Sequence, residues 1–241
     1  MMKWALVTGA DRGVGLSLVK GLLGRGFHVF AGQYTETGDD LKQLEEASEG
    51  RLKRISLDIS DADSVSKALE SVAAVTDRLE ILINNGAILG DMEATIEDEL
   101  DFEEMDRVFR VNALGALRMS NGLIGPILKS GSKLIVNISS EAGSIGSCWR
   151  NAWYAYCMSK AALNMQSQLI HNQIAPQGGK VMVIHPGHVR TYMQGKLDTA
   201  GKLTPDESAG HILQLVDGRL DPGYTGEGLA LIDYAGETLP W

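Results

Sequence analysis

The sequence predicts an α/β fold, a doubly wound parallel sheet with helices on both faces, and three observations carry that prediction. Short β-rich apolar runs alternate with segments of helical period along all 241 residues. No linker, low-complexity tract or internal repeat interrupts the alternation, so a single domain over 1–241 is expected. Apolar residues at 44% and charged residues at 22% give the balance of a chain that buries a sizeable core.

Taken in order, strands are expected at 4–7, 28–33, 51–57, 81–84, 133–139, 180–185 and 228–233, seven in all. Between the first four, Val14-Leu18-Gly21-Leu22, then Leu41-Leu44-Ala47, then Val65-Leu69-Val72 each mark one apolar stripe at three- or four-residue spacing. Helices that pack on a sheet need such a stripe. Longer helices are expected over 103–129 and 154–174, the second closed by Pro176 and Gly178-Gly179. The acidic stretch 91–106 reads as a solvated helix face and implies no partner. Many of the 28 glycines fall at strand-to-helix turns, where backbone must come close to something.

Charge narrows the function classes. Lys+Arg of 22 against Asp+Glu of 31 leaves −9, a field that repels nucleic acid and anionic membrane surfaces. The apolar run 4–7 is too short for a signal peptide, and no stretch approaches the roughly 18 residues of a membrane span. Two cysteines, Cys148 and Cys157, make neither a disulfide framework nor a zinc site and fit a reducing, cytoplasmic compartment. Cys157 reads as a small hydrophobe. His185 and His188 flank Pro186-Gly187 without an obvious third ligand, so no metal is expected.

The first strand runs into Thr8-Gly9-Ala10-Asp11-Arg12-Gly13-Val14-Gly15. Glycines here permit unusual dihedrals and let backbone amides approach a pyrophosphate at a helix N-terminus. The spacing is G-x-x-x-G-x-G rather than the commonest dinucleotide fingerprint, but its place between a strand and a helix is the context such a turn requires. An acid that would bind the adenosine ribose 2′-hydroxyl should end the second strand, where Gln33-Tyr34 stands instead. Arg12 can pair with a 2′-phosphate. NADP(H) is therefore favoured, with NAD(H) left open by nearby Glu36 and Asp39 and by the absence of a second basic residue at Tyr34.

Tyr156 and Lys160 lie four residues apart on the predicted helix 154–174, on one face and one turn apart. To be half ionised near neutrality a phenol must move about 3 pKa units, or about 4 kcal/mol, and a neighbouring ammonium is expected to supply part of it. Such a Tyr can exchange a proton with a carbonyl or alcohol oxygen. The pattern is cheap: 6 Tyr and 11 Lys in 241 residues give roughly 0.3 chance matches. Tyr192 and Lys196 form a second match, but Gly195 and the preceding Pro186-Gly187 disfavour a helix there. Ser139-Ser140 closes the fifth strand at its carboxyl end, where a hydroxyl can hold a substrate oxygen or merely cap a turn. Asn84-Asn85-Gly86-Ala87 ends the fourth strand, and Asn112 sits inside a helix, an unfavourable place that suggests a polar task.

The glycine turn, Asn84-Asn85, Asn112, Asn137-Ile138-Ser139-Ser140, Tyr156-x-x-x-Lys160 and His185-Pro186-Gly187 occur in the order found in the short-chain dehydrogenase/reductase family, which the chain resembles over nearly its whole length. Within it, Trp153-Tyr154-Ala155-Tyr156 with Met158-Ser159-Lys160-Ala161-Ala162-Leu163-Asn164, and the ending Asp233-Tyr234-Ala235-Gly236 with Pro240-Trp241, look most like the small C-factor-like and sniffer-like carbonyl reductases. The resemblance implies a seven-stranded Rossmann domain and a tetrad of Asn112, Ser140, Tyr156 and Lys160. Ser140 would orient the substrate carbonyl and Tyr156 donate the proton. Lys160 would lower the Tyr pKa and bind the nicotinamide ribose, and Asn112 would support a water relay through Lys160. Gly9, Asp11, Arg12, Gly13, Val14 and Gly15 of the glycine turn would bind the cofactor. Asp58 and Ile59 would border adenine and Asn84 line the groove. Pro186, Gly187, Val189 and Thr191 would hold the nicotinamide side.

Besides Gln33-Tyr34 at the end of the second strand, two departures stand out from the family pattern. Gly86-Ala87 reverses the usual Ala-Gly, and the interval from Ser140 to Tyr156 is longer than in many relatives, so that loop should shape the substrate mouth with Trp149 and Trp153 packed near it. The segment 188–203 would cover a small, fairly apolar carbonyl or alcohol substrate. A cofactor-binding regulatory or signalling protein with little turnover is the alternative reading. A homodimer through the long helices is a further expectation.

Overall fold

The computed structural model describes residues 2–35, 39–193, 195–221 and 228–241, so Glu36 and Gln194 lie outside the described residues. Among the described residues eight strands form one sheet in the order β3-β2-β1-β4-β5-β6-β7-β8. They are β1 (Trp4–Val7), β2 (His28–Gln33), β3 (Leu52–Ser56), β4 (Ile81–Asn84), β5 (Leu134–Ile138), β6 (Lys180–His185), β7 (Leu231–Asp233) and β8 (Thr238–Leu239). All neighbours are parallel except β7 and β8. The alternation predicts seven strands; the eighth is a two-residue return. It follows a turn in which the Asp233 carboxylate accepts from the Ala235 and Glu237 amides and Gly236 adopts φ +89°.

Strand residues divide by parity, because successive side chains point to opposite faces. Ala5, Val7, Ile81, Ile83, Leu134, Val136, Met182 and Ile184 pack with Leu18 and Leu22 of α1 (Gly13–Gly24), Leu41 of α2 (Asp40–Ala47) and Ile212, Leu213 and Val216 of α7 (Pro205–Leu220). Trp4, Leu6, Leu82, Ile135 and Val181 pack on the other face. Their partners there are Val65, Ala68 and Val72 of α3 (Ala62–Ala73), Met119, Leu123 and Ile127 of α5 (Ala116–Lys129) and Ile174 of α6 (Tyr154–Ile174). With both faces covered, strand interiors read as near-continuous apolar runs.

Two local features differ from the periodicity. The helix expected over 103–129 runs as α4 (Phe102–Phe109), a π-helical turn at Arg110–Gly115 and then α5. A seventh helix, α7, occupies a stretch whose apolar pattern alone does not announce it. Its start was legible in Thr204-Pro205-Asp206-Glu207, since the Thr204 hydroxyl and Glu207 carboxylate cap each other's backbone with Pro at the first helical position. Ser17 Oγ donates to Asp206 at 2.5 Å and Arg25 pairs with Asp217 at 2.9 Å, so α7 is clasped to α1 at both ends. No helix among the described residues is long and apolar enough to cross a membrane.

Candidate functional site

Parallel pairing in register aligns the carboxyl ends of β1, β4, β5 and β6, through Val7 with Ile83, Asn84 with Asn137 and Ile138 with Ile184. The residues that follow those strands therefore share one edge of the sheet. Strand order turns at β1, which has β2 on one side and β4 on the other, the place where open α/β sheets leave a crevice.

The glycine turn follows β1 at that edge. Gly9 and Gly13 both have positive φ, at 61° and 56°. A Cβ at Gly15 would run into the carbonyl oxygen of Gly9 and sit 2.7 Å from Asn85 Nδ2, so turn and helix close only on glycine. Asn85 holds this turn by donating to the carbonyls of Thr8 and Gly9, both at 3.0 Å, while the Thr8 hydroxyl accepts from the Asn85 and Gly86 amides. Asn84, expected at the groove, is buried, and its amide donates inward to Asn137 at 2.8 Å and Ser120 at 3.1 Å. Asn85 is thus the residue of that pair that reaches the turn, and its reach through space to Gly9 left no trace in the sequence. The first-turn amides of α1 have no side-chain cap from Arg12, whose side chain is exposed. Asp11 accepts from the Tyr34 amide at 2.7 Å, tying the turn to the end of β2. Gln33 folds inward onto the Thr35 carbonyl, whereas the Tyr34 ring is exposed.

Beside this crevice, α6 presents a polar stripe to the sheet: Tyr156, Ser159, Lys160, Asn164 and Ser167 are all buried at three- and four-residue spacing. Each finds a partner. Asn164 accepts from Ser139 at 2.6 Å and donates to the Gly143 carbonyl at 3.1 Å. Ser167 accepts from Asn137 at 2.7 Å. Lys160 Nζ donates to the Ile138 carbonyl at 2.8 Å. The Ser140 hydroxyl accepts from the Ala142 amide at 3.1 Å and lies near enough to the Tyr156 phenol to lower its pKa. Ser140, Tyr156 and Lys160 are therefore together at the C-terminal edge.

Electrostatics at this cluster differ from the sequence expectation. Burial pushes the Tyr156 phenol up to about 12, against a lowering hydrogen bond from Ser140 and a smaller lowering influence from the Arg150 charge. Burial also pulls the Lys160 ammonium down to about 7. An ammonium near losing its charge, 5.6 Å from the ring centre and spent on a carbonyl, does not make the phenol acidic in the polypeptide by itself. Desolvation of both groups wins over their attraction.

Asn112 sits in the π-helical turn, 1% exposed, and works as a backbone surrogate. Its Oδ1 accepts from the Ile88 amide and its Nδ2 donates to the Ile88 carbonyl, both at 2.8 Å, with a further 3.0 Å bond to Ser159. It ties the loop after β4 to α6 one residue from Lys160.

The described residues of the segment 188–203 fold back on one another. Val189 bridges to Leu203, His188 meets Asp198 at 2.6 Å, and Asp198 donates its amide to the Thr191 carbonyl. The Thr191 methyl lies 3.5 Å from where a Cβ on Gly13 would stand, so loop and glycine turn touch. Gly187, at φ +81°, fits under Leu203 and Tyr234, and the Pro186 carbonyl accepts from Ser208. Tyr192 is exposed in a turn rather than on a helix. Asp58 accepts from Ser60 and Ile59 packs beneath Gly86 and Gly115, both just beyond β3. Cys157 is half-buried and its thiol is pushed up by burial. Among the described residues no group of three His, Cys, Asp or Glu side chains converges as metal ligands.

A family model described as short chain dehydrogenase matches residues 3–201. The chain is 32% identical over 250 residues to an uncharacterized oxidoreductase of Schizosaccharomyces pombe, covering 98% of this chain and 96% of that protein. Among solved structures it is similar to the NADPH bound carbonyl reductase from chicken fatty liver, with a TM-score of 0.86 and 29% identity over 100% of this chain and 99% of that one. It is likewise similar to the carbonyl reductase Sniffer of D. melanogaster, with a TM-score of 0.87 and 26% identity over the whole of both chains.

Proposed function

Because the chain belongs to the short-chain dehydrogenase family, we propose that it is an NADP(H)-dependent carbonyl reductase in which Tyr156 protonates the oxygen of a small, fairly apolar carbonyl compound. One observation carries the reading: buried Ser140, Tyr156 and Lys160 meet at the sheet edge beside a glycine turn with uncapped helix amides.

The chain's own groups fit a dinucleotide. Amides of Gly13, Val14 and Gly15 at the start of α1 suit a pyrophosphate, and the exposed Arg12 suits a 2′-phosphate. Asp11 would fix the turn through Tyr34, with Gly9 giving the close approach. Asp58 and Ile59 would border the adenine, with Asn84 supporting the groove from below. Pro186, Gly187, Val189 and Thr191 would close the nicotinamide side. Bound there, the nicotinamide supplies the hydride.

A phenol held near 12 is protonated throughout the neutral range, so Tyr156 enters the reaction as an acid. Ser140 would hold the carbonyl oxygen against that hydroxyl. Lys160, with one N–H already donated to the Ile138 carbonyl, would hold the ribose and return a proton to the phenol, and Asn112 would keep its helix in place. In the reverse direction Tyr156 must act as a base, so alcohol oxidation should rise with pH while reduction stays level. The segment 188–203 would cover the substrate.

Two free thiols at Cys148 and Cys157 support a cytoplasmic setting. Exposed Leu114, Leu117, Met165 and Leu169 on the long helices support pairing of two copies. The test is a panel of aldehydes and ketones with NADPH, read at the reduced-cofactor absorbance. Turnover lost by at least a hundredfold in Tyr156→Phe, with NADPH affinity unchanged, is expected. Tight NADPH binding without turnover on any member would instead favour a regulatory protein.

A further inference from the structure

Resting on that reading, we propose that Arg150 is a positioning residue for the reaction, a brace that sets Ser140 against Tyr156 by gripping Glu141 on one side and Trp153 on the other. Ser140 and Tyr156 arrive on different elements. Ser140 follows β5 and is succeeded at once by Glu141 in a short 3-10 turn, Glu141–Gly143. Tyr156 lies in the first turn of α6, three residues after Trp153. The loop 144–153 joins them, and Arg150 spans it.

The grip on the Ser140 side is a fork. Arg150 Nη1 donates to Glu141 Oε2 at 2.9 Å and Nη2 to Oε1 at 2.5 Å, with the Arg150 side chain only 9% exposed. Bidentate pairing fixes direction as well as distance. The grip on the Tyr156 side is a stack. The guanidinium carbon lies 4.7 Å from the Trp153 ring centre and 4.7 Å from that of Trp149, so it is within cation–π range of both indoles. Trp153 in turn meets the Tyr156 ring edge-on, with centres 6.2 Å apart at 73°.

Trp153 also needs holding. It is a non-glycine residue at φ +66°, the left-handed region, immediately before α6, and it makes no side-chain cap bond of its own. Such a conformation persists only where its surroundings impose it. Packing against Arg150 supplies that constraint and thereby aims the first turn of α6. A purely electrostatic role explains less, because the Arg150 charge favours the ionised phenol while the Glu141 charge disfavours it. The two influences oppose each other, and the geometry remains.

The test uses the full chain with NADPH and the variants Arg150→Met, Arg150→Lys, Glu141→Ala and the Glu141→Ala/Arg150→Met double. Four quantities are read: kcat and KM on a carbonyl substrate, NADPH affinity, and amide hydrogen exchange over 140–144 and 153–158. Each single variant should lower kcat at least tenfold with NADPH affinity within twofold of wild type. The double variant should be no worse than the poorer single. Arg150→Lys should not rescue, since fork and stack both need a planar guanidinium. Exchange should rise in both segments together. Wild-type kcat in Arg150→Lys, a loss of NADPH affinity matching the loss of kcat, or exchange rising in one segment alone would overturn the brace. If the wild-type chain binds NADPH but turns over no carbonyl, the reductase reading fails, and the exchange arm by itself decides whether Arg150 couples the two segments.

Discussion

At neutral pH Lys160 stands near the midpoint of its own titration, because burial lowers its pKa from 10.5 to about 7 while its one hydrogen bond runs to the Ile138 carbonyl. Between those two values the unfolded chain holds a proton that the folded chain lacks, so stability rises with pH across that window, by up to about 1.4 kcal/mol per pH unit. Lys160→Met removes the effect. Its unfolding free energy relative to wild type should therefore fall as pH goes from 7.5 to 9.5, a trend read from urea midpoints at each pH. A flat difference would mean the ammonium is solvated. Tyr156 acts in a separate window: its folded value near 12 lies above the ordinary 10, so its contribution is present below pH 10 and lost as pH climbs through 12. The pair Tyr156 and Lys160 was legible from spacing on one helix face, whereas the sign of their pKa shifts was not, since burial depends on the sheet beneath and not on the neighbour four residues on.

The elements that hold these residues explain why small changes nearby should matter. Gly143 packs so closely on α6 that a Cβ there would lie 2.7 Å from the Lys160 carbonyl carbon. Gly143→Ala should cost about 1–3 kcal/mol by overpacking and lower turnover more than NADPH binding, because it parts the Ser140 turn from Tyr156. Thermal unfolding and a saturation titration on the same variant separate the two effects. Asn112→Ala removes three hydrogen bonds and leaves both Ile88 backbone groups without their partner, at a cost of about 2–3 kcal/mol, measurable by denaturant unfolding. In the sequence Asn112 stands out only as a polar residue inside a helix. The π-helical turn, where that side chain pairs with a loop far away in sequence, has no local signal. The brace of Glu141, Arg150 and Trp153 escaped notice for a similar reason: its parts lie in a loop with no periodicity, and only the fold closes them into one unit.

For the molecule as a whole, a ligand that binds the folded chain alone raises its stability by mass action. NADPH at a hundredfold excess over its dissociation constant should add about 2.7 kcal/mol, a rise of roughly 5–10 °C in Tm for a domain of this size. NADH should give less at equal concentration, and Arg12→Ala should narrow the gap by about tenfold in relative affinity, the worth of a charge-assisted bond to phosphate. Equal shifts with both cofactors in wild type would remove Arg12 from that role. The α/β class, the parallel sheet, the glycine turn and the Tyr156–Lys160 pair followed from sequence alone, because period, turn chemistry and helical spacing are local properties that each segment carries with it. The tertiary structure decided the rest: that Asn85 rather than Asn84 holds the glycine turn, that Tyr156 is a strong proton holder, that Asn112 serves a loop, and that Arg150 joins two segments. These depend on distance and burial between residues far apart along the chain, which no local pattern encodes.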